Sequence, residues 1–185
     1  MFIQTEATPN PATLKFLPGQ AVLGEGALEF HSPESAAETP LAQALLSIPG
    51  VASVMYGPDF VSVTKNGAEW PHIKPAVLGV IMEHFSSKAP LFTGEARAEP
   101  PDGEFFDPAD AETVATIKQL LETRVRPAVA GDGGDITFRG FRDGVVYLKM
   151  KGACSGCPSS TATLKNGIEN LLRHFVPQIR AVEQI

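Results

Sequence analysis

Cys154 and Cys157 are the only two thiols of the chain. They stand three positions apart in the run Lys151-Gly152-Ala153-Cys154-Ser155-Gly156-Cys157-Pro158-Ser159-Ser160-Thr161. With two residues between them, a single turn can aim both sulfurs at one ion. Gly152 and Gly156 permit the left-handed φ values such a turn uses, and they leave backbone amides able to donate to sulfur. Ser159 to Thr161 supply capping hydroxyls for a helix that opens just beyond. The positive end of that helix favours thiolate over thiol, and thiolate is the form that binds metal. Three chemistries fit a bare pair of this spacing: a metal or cluster site, a dithiol–disulfide redox pair, or two cysteines that only pack. The helix start favours the redox reading. The absence of a preceding Trp, and of a strand–helix–strand beginning, counts against it.

Ligand count bears on the first chemistry. Tetrahedral zinc and cubane iron–sulfur clusters normally take four protein ligands, and this chain offers two thiols. No histidine lies near the pair in sequence. His174 is ~14 residues along the following helix, some ~20 Å away at 1.5 Å per residue, and His31, His72 and His84 all lie in the first half. The economical solution is a twofold dimer in which each subunit supplies one pair. Such a site lies at a subunit surface and can form and release its cargo.

The elements that must position the pair follow from periodicity. Val114, Ile117, Leu121 and Val125 recur at helical spacing, which predicts a helix over residues 109–125, ended by Pro127. Gly131-Asp132-Gly133-Gly134-Asp135 is a tight loop. Ile136 to Phe138 and Val145 to Met150 form a hairpin turned around Arg142-Asp143-Gly144. After the cysteines, Leu164, Ile168, Leu171 and Phe175 mark a second helix, and Ile179 to Val182 a closing strand. The expected order is α-β-β-α-β, with the cysteine loop at a helix N-terminus.

The first half reads as a separate α+β unit. Phe2 to Phe16 is a strand region broken by Thr8-Pro9-Asn10-Pro11. Thr39 caps a helix that begins at Pro40. Val51 to Tyr56 pairs with Phe60 to Thr64, and a helix runs around Pro75 to Phe85. The expected fold class is therefore α+β in two small domains: residues 1–88, a proline-rich linker over 89–108, and residues 109–185.

Bulk properties narrow the function classes. Of 185 residues, 43% are hydrophobic and 19% charged, so the chain can bury a core. No apolar run approaches the ~20 residues of a membrane span. A net charge of −6 argues against nucleic acid as the partner. The charge is uneven, −8 over residues 1–107 and +2 over residues 108–185, which also points to two domains. Met1 to Gly19 shows neither a signal core nor an Arg-rich amphipathic helix. The expected location is therefore the bacterial cytoplasm, with a processed organellar form as second choice.

Several other residues were weighed against plainer roles. The Gly131–Asp135 loop lacks the spaced acids of a calcium loop and the Gly-Lys-Ser/Thr ending of a phosphate loop. It reads as a helix-to-strand turn close to the cysteines that helps shape their surface. His31 is expected in solvent, His84 at a helix boundary, and Trp70 in packing. Arg139, Arg142, Lys149 and Lys151 are expected to form a solvated basic rim, the alternative being attraction of acidic partners.

At the motif, the sequence resembles the C-terminal domain of NifU-like proteins. The resemblance rests on Val125-Arg126-Pro127, Gly131 to Asp135, Val146-Tyr147-Leu148 and Gly152 to Ser160, in the family's order and spacing. The first half is similar to the N-terminal domain of Nfu-type scaffolds through Phe2 to Glu6, Thr8 to Pro11 and Pro49-Gly50-Val51. The resemblance implies a non-enzymatic scaffold or carrier whose cysteine pair, here Cys154 and Cys157, binds a 4Fe-4S cluster across a homodimer. It implies receipt of the cluster from upstream assembly proteins and its transfer to recipient apo iron–sulfur proteins. The first domain, which offers no chemical motif, is expected to recognise partners. A thiol–disulfide oxidoreductase and a structural zinc protein remain the rival readings.

Overall fold

The computed structural model describes residues 1–94, 103–155 and 158–185, with side chains omitted at 158–160. The chain divides into two compact units, Met1–Ala98 and Glu99–Ile185.

The first unit is an antiparallel sheet backed by two helices. Its strands are β1 (Gln4–Ala7), β2 (Thr13–Leu17), β3 (Leu28–Phe30), β4 (Val51–Tyr56) and β5 (Val61–Lys65), in the order β1-β2-β5-β4-β3. Alternation places Phe16, Val54, Tyr56, Val61 and Val63 on the apolar face, where all are buried. Against them lie Leu41 and Leu45 of α1 (Pro40–Leu46) and Val77 and Ile81 of α2 (Trp70–Ser86). Thr39 caps α1 as expected, its hydroxyl accepting from Ala42 N–H. The same hydroxyl is hydrogen-bonded to the Tyr56 hydroxyl, which ties the helix start to β4. Burial pushes the Tyr56 hydroxyl up to about 12. Helix α2 begins five residues before the expected Pro75, because Pro71 sits in its first turn, where no amide partner is needed. Strand β3 is only three residues long and carries no sequence signal of its own.

The second unit has the expected order. A 3₁₀ turn over Pro108–Asp110 leads into α3 (Ala111–Leu120). Next come a widened turn (Leu121–Val125), α4 (Arg126–Gly131), β6 (Gly134–Arg142), β7 (Val145–Gly152), α5 (Pro158–Phe175) and β8 (Ala181–Gln184). Strands β6 and β7 are antiparallel, and β8 joins β7 in parallel. The hairpin turns on Asp143 and Gly144, both at left-handed φ (52° and 78°), the two-residue geometry that matches strand twist. Ile117, Ile136, Val146, Leu148, Leu172 and Val182 form the centre of its core. The outward amide of Val182 on β8 is met by the Glu169 carboxylate at 3.4 Å, which blunts the exposed edge.

Two expectations change here. Pro127 does not end the first helix. The amide of Arg126 reaches back five residues to the carbonyl of Leu121. This π-type turn makes room for the proline ring, and the helix continues to Gly131. The flanks of the expected linker are also not linker in structure. Leu91 and Phe92 pack on the first core, with Phe92 edge-on to Tyr56 at 6.3 Å. Phe105 exchanges backbone hydrogen bonds with β6: its amide donates to Arg139 O, and its carbonyl accepts from Phe141 N–H. Its ring lies over Gly140, where a Cβ would stand 2.4 Å from it, and 5.2 Å from the Tyr147 ring. Leu91, Phe92 and Phe105 of this segment are thus used for packing.

Candidate metal or cluster site

The loop that carries Cys154 is built from the end of β7 and the start of β6. Gly152, the last residue of β7, lies opposite Gly134 and has φ +63°. The turn after it closes through Ser155, whose amide and hydroxyl both donate to Gly152 O, at 3.1 and 3.0 Å. Ala153 N–H donates to Gly133 O at 3.2 Å, which joins the cysteine turn to the glycine loop. From the first turn of α5, the Thr161 hydroxyl donates to Cys154 O at 3.0 Å. The N-terminus of an 18-residue helix is thus bonded directly to the residue that bears the thiol.

Cys154 is 5% exposed and belongs to the apolar cluster of the second unit. Its sulfur packs against Gly134, where a Cβ would come within 2.3 Å of Sγ. Cys157, the second expected ligand, lies outside the described residues together with Gly156. Among the described residues, no group of three or more His, Cys, Asp or Glu converges to hold a metal ion.

The expected place of the glycine loop is seen. Helix α4 ends at Gly131, Gly133 turns the chain at φ +79°, and β6 starts at Gly134. Asp132 is exposed, whereas Asp135 is 6% exposed. A guanidinium clasps Asp135: Arg126 Nε donates to Oδ1 at 2.9 Å and Nη2 to Oδ2 at 3.2 Å. The third arm, Nη1, reaches Glu122 at 2.7 Å. Hydrogen bonding to Asp135, and then to Glu122, holds the Arg126 guanidinium above its ordinary range against the opposing pull of burial. Sequence reasoning missed both Gly134 and this clasp. One signal was present. A left-handed turn needs one glycine, and two stand together, so the second answers to space and not to φ.

The solvated basic rim does not hold. Arg139, at the bulge in β6, and Lys151, at the end of β7, are 8% and 4% exposed, and Lys149 is half-buried. Arg142, next to the hairpin turn, is exposed, and its guanidinium lies 5.3 Å from the Phe105 ring centroid. His31 is exposed beside Glu29 at 3.3 Å. Trp70 packs on the first core and donates to Pro11 O at 3.1 Å. His84 is buried at 8% exposure, and desolvation lowers its imidazole below the ordinary value. Among the described residues, no helix is long and apolar enough to cross a membrane.

Such a fold, a thiol-bearing loop at a helix start in an α-β-β-α-β unit that shares its chain with a second α+β unit, defines a class that comparison with known proteins identifies. Residues 3–88 match the family model described as the N-terminal domain of scaffold protein Nfu/NifU, and residues 117–183 match the NifU-like domain. The chain is 49% identical over 187 residues to the human protein named NFU1 iron-sulfur cluster scaffold homolog, mitochondrial, covering 100% of this chain and 72% of that one. It is 50% identical over 187 residues to NifU-like protein 5, mitochondrial, of Arabidopsis thaliana, covering 100% and 68%. A solution structure of a NifU-like protein from Saccharomyces cerevisiae aligns over 51% of this chain and 87% of that one, with 27% identity and a TM-score of 0.46. The chain belongs to the Nfu/NifU family of iron–sulfur cluster scaffold proteins.

The expectation of a bacterial cytoplasm is overturned by these relatives. Those matching the whole chain, from human, Arabidopsis and Drosophila, are named as mitochondrial. Residues 1–19 enter the first folded domain, with β1 starting at Gln4.

Proposed function

We propose that the chain carries a 4Fe-4S cluster between two copies of itself, held by Cys154 and Cys157 of each, and passes it to recipient apo-proteins. The observation that carries this reading is the ligand count at a purpose-built loop. Two thiols per chain leave two of four cluster ligands unfilled, and a second copy supplies them with no new residue type. Membership of a scaffold family supports the reading, as does the hydrogen bond that ties Cys154 to the first turn of α5.

The chemistry is ligand exchange, without turnover of a substrate. A recipient thiol gives up its proton, its thiolate binds iron, and one scaffold thiolate leaves and regains a proton. Repeated at each ligand, the exchange moves the cluster without net redox change. It runs forward when the recipient chelates more tightly. The first domain recognises the donor or recipient proteins.

Anaerobic reconstitution with iron and sulfide, followed by the visible spectrum and solution mass of the product, tests this. A brown dimer with about four irons and four sulfides per pair of chains, lost with Cys154→Ala or Cys157→Ala, is the expected result. A colourless monomer cycling through a Cys154–Cys157 disulfide would establish the oxidoreductase reading instead. One zinc per colourless dimer would establish the structural-metal reading.

A further inference from the structure

Gly133 and Gly134 are adjacent and answer to different demands. Gly133 has φ +79°, a backbone that side chains rarely adopt. Gly134 is not among the residues with positive φ, so its backbone would accept alanine. Space at Gly134 would not. A Cβ there would lie 2.3 Å from Cys154 Sγ, 2.9 Å from Lys151 O and 3.1 Å from Cys154 N. Two of those three neighbours are backbone atoms of the paired strand and its turn. They are held by the Gly134–Gly152 register and by the bond from Ala153 N–H to Gly133 O. The sulfur, on one rotatable bond, can give way more readily than those backbone atoms.

We infer that Gly134 is a positioning residue for the first ligand thiolate, its absent side chain forming the seat that holds Cys154 Sγ and so sets how firmly the cargo is retained. The seat is anchored at the next residue, because Asp135 is fixed by two hydrogen bonds from Arg126. A methyl group at 134 turns the sulfur out of its apolar seat toward solvent while leaving the ligand set chemically complete. The effect on retention rests on the cluster reading proposed above. The seat itself does not, since it exists in the cluster-free chain.

The test uses Gly134→Ala, with Gly131→Ala in the same glycine loop as the control, since a Cβ at 131 meets nothing within 4 Å. In full-length chains carrying Cys157→Ser, where Cys154 is the only thiol, the rate of alkylation by iodoacetamide reads the seat directly. Gly134→Ala is expected to raise it about tenfold or more, and Gly131→Ala to leave it within about twofold. In the chain with both cysteines, the loaded protein is expected to lose iron to a chelator about tenfold faster with Gly134→Ala, a size typical of changes just behind a metal ligand. Should Gly134→Ala not fold, Gly134→Ala with Cys154→Ala decides: recovery of folding supports the seat, and failure in both backgrounds overturns it. An unchanged alkylation rate in a folded Gly134→Ala chain also overturns it. A wrong cluster reading shows itself separately, in the iron and sulfide content of the unaltered chain.

Discussion

Removing the Arg126 side chain should unfasten the second domain beneath its cysteine loop. Asp135 has 9% of its side chain exposed, and both its oxygens accept from one guanidinium, at 2.9 and 3.2 Å. Breaking a fully buried pair by deleting one partner costs about 3–5 kcal/mol, because the surviving charge stays buried. Arg126 itself is 29% exposed, so water can reach part of the vacated site and the cost falls at or just below that range, about 2–3 kcal/mol. The arm to Glu122 adds little, since Glu122 is 66% exposed. For a domain of 60–100 residues, this predicts a fall in melting temperature of roughly 10–20 °C for Arg126→Ala. Arg126→Lys recovers only part, because an ammonium cannot make two parallel bonds to a carboxylate. The assay is thermal or urea unfolding of the cluster-free chain by circular dichroism, with fluorescence recorded in parallel. The single Trp, Trp70, lies in the first domain, so its signal reports that domain and should not move. A shift below about 0.5 kcal/mol, the usual scatter of surface changes, would refute the clasp as an anchor. So would a shift of the Trp70 transition alone.

The first domain should lose stability as pH falls. The pKa of His84 is lowered by burial from 6.5, so the unfolded chain binds more protons than the folded one once pH drops below 6.5. The contribution is complete above 6.5 and is lost as pH falls toward the folded value, with a slope of at most ~1.4 kcal/mol per pH unit. Urea unfolding followed at Trp70 between pH 7 and 5 measures the slope, and His84→Gln should flatten it; an equal slope in both chains refutes the assignment. Phe105→Ala should destabilise the second domain by about 2–3 kcal/mol, less than a fully buried Phe because Phe105 is half-buried. A fragment starting at residue 109 should show the same deficit relative to one starting at 103, and equal stability of the two fragments would sink the claim that Phe105 belongs to this domain.

Local signals carried most of the fold. Thr39-Pro40 announced α1 because cap and first-turn proline act over three residues. Asp143-Gly144 announced the hairpin because only left-handed residues fit its turn. The features that escaped depend on residues distant in sequence or on a change of helical pitch. Pro127 is a helix breaker by propensity, and only the widened turn at Leu121–Val125 shows how the helix absorbs it. Phe105 sits in a proline-rich stretch whose composition reads as linker, and its partner Gly140 lies far along the chain. The cysteine loop was legible as a motif, while its floor was not. Nothing in a run of glycines says which one faces a sulfur.

That floor also separates the two main readings of the cysteine pair. A thiol that attacks disulfides must bring a thiolate to solvent, within reach of a partner's sulfur. Cys154 instead has 5% of its surface exposed, sits in the apolar cluster, and has its sulfur in the gap left by Gly134. A cluster ligand carries the opposite requirement. It should be withheld from oxidants until iron arrives and then bind metal at a fixed position. The Thr161 bond to Cys154 O holds the backbone of Cys154 to α5, as the proposed ligand role requires. Withholding the first thiol while fixing its backbone suits the proposed carrier better than a redox catalyst whose nucleophile is Cys154.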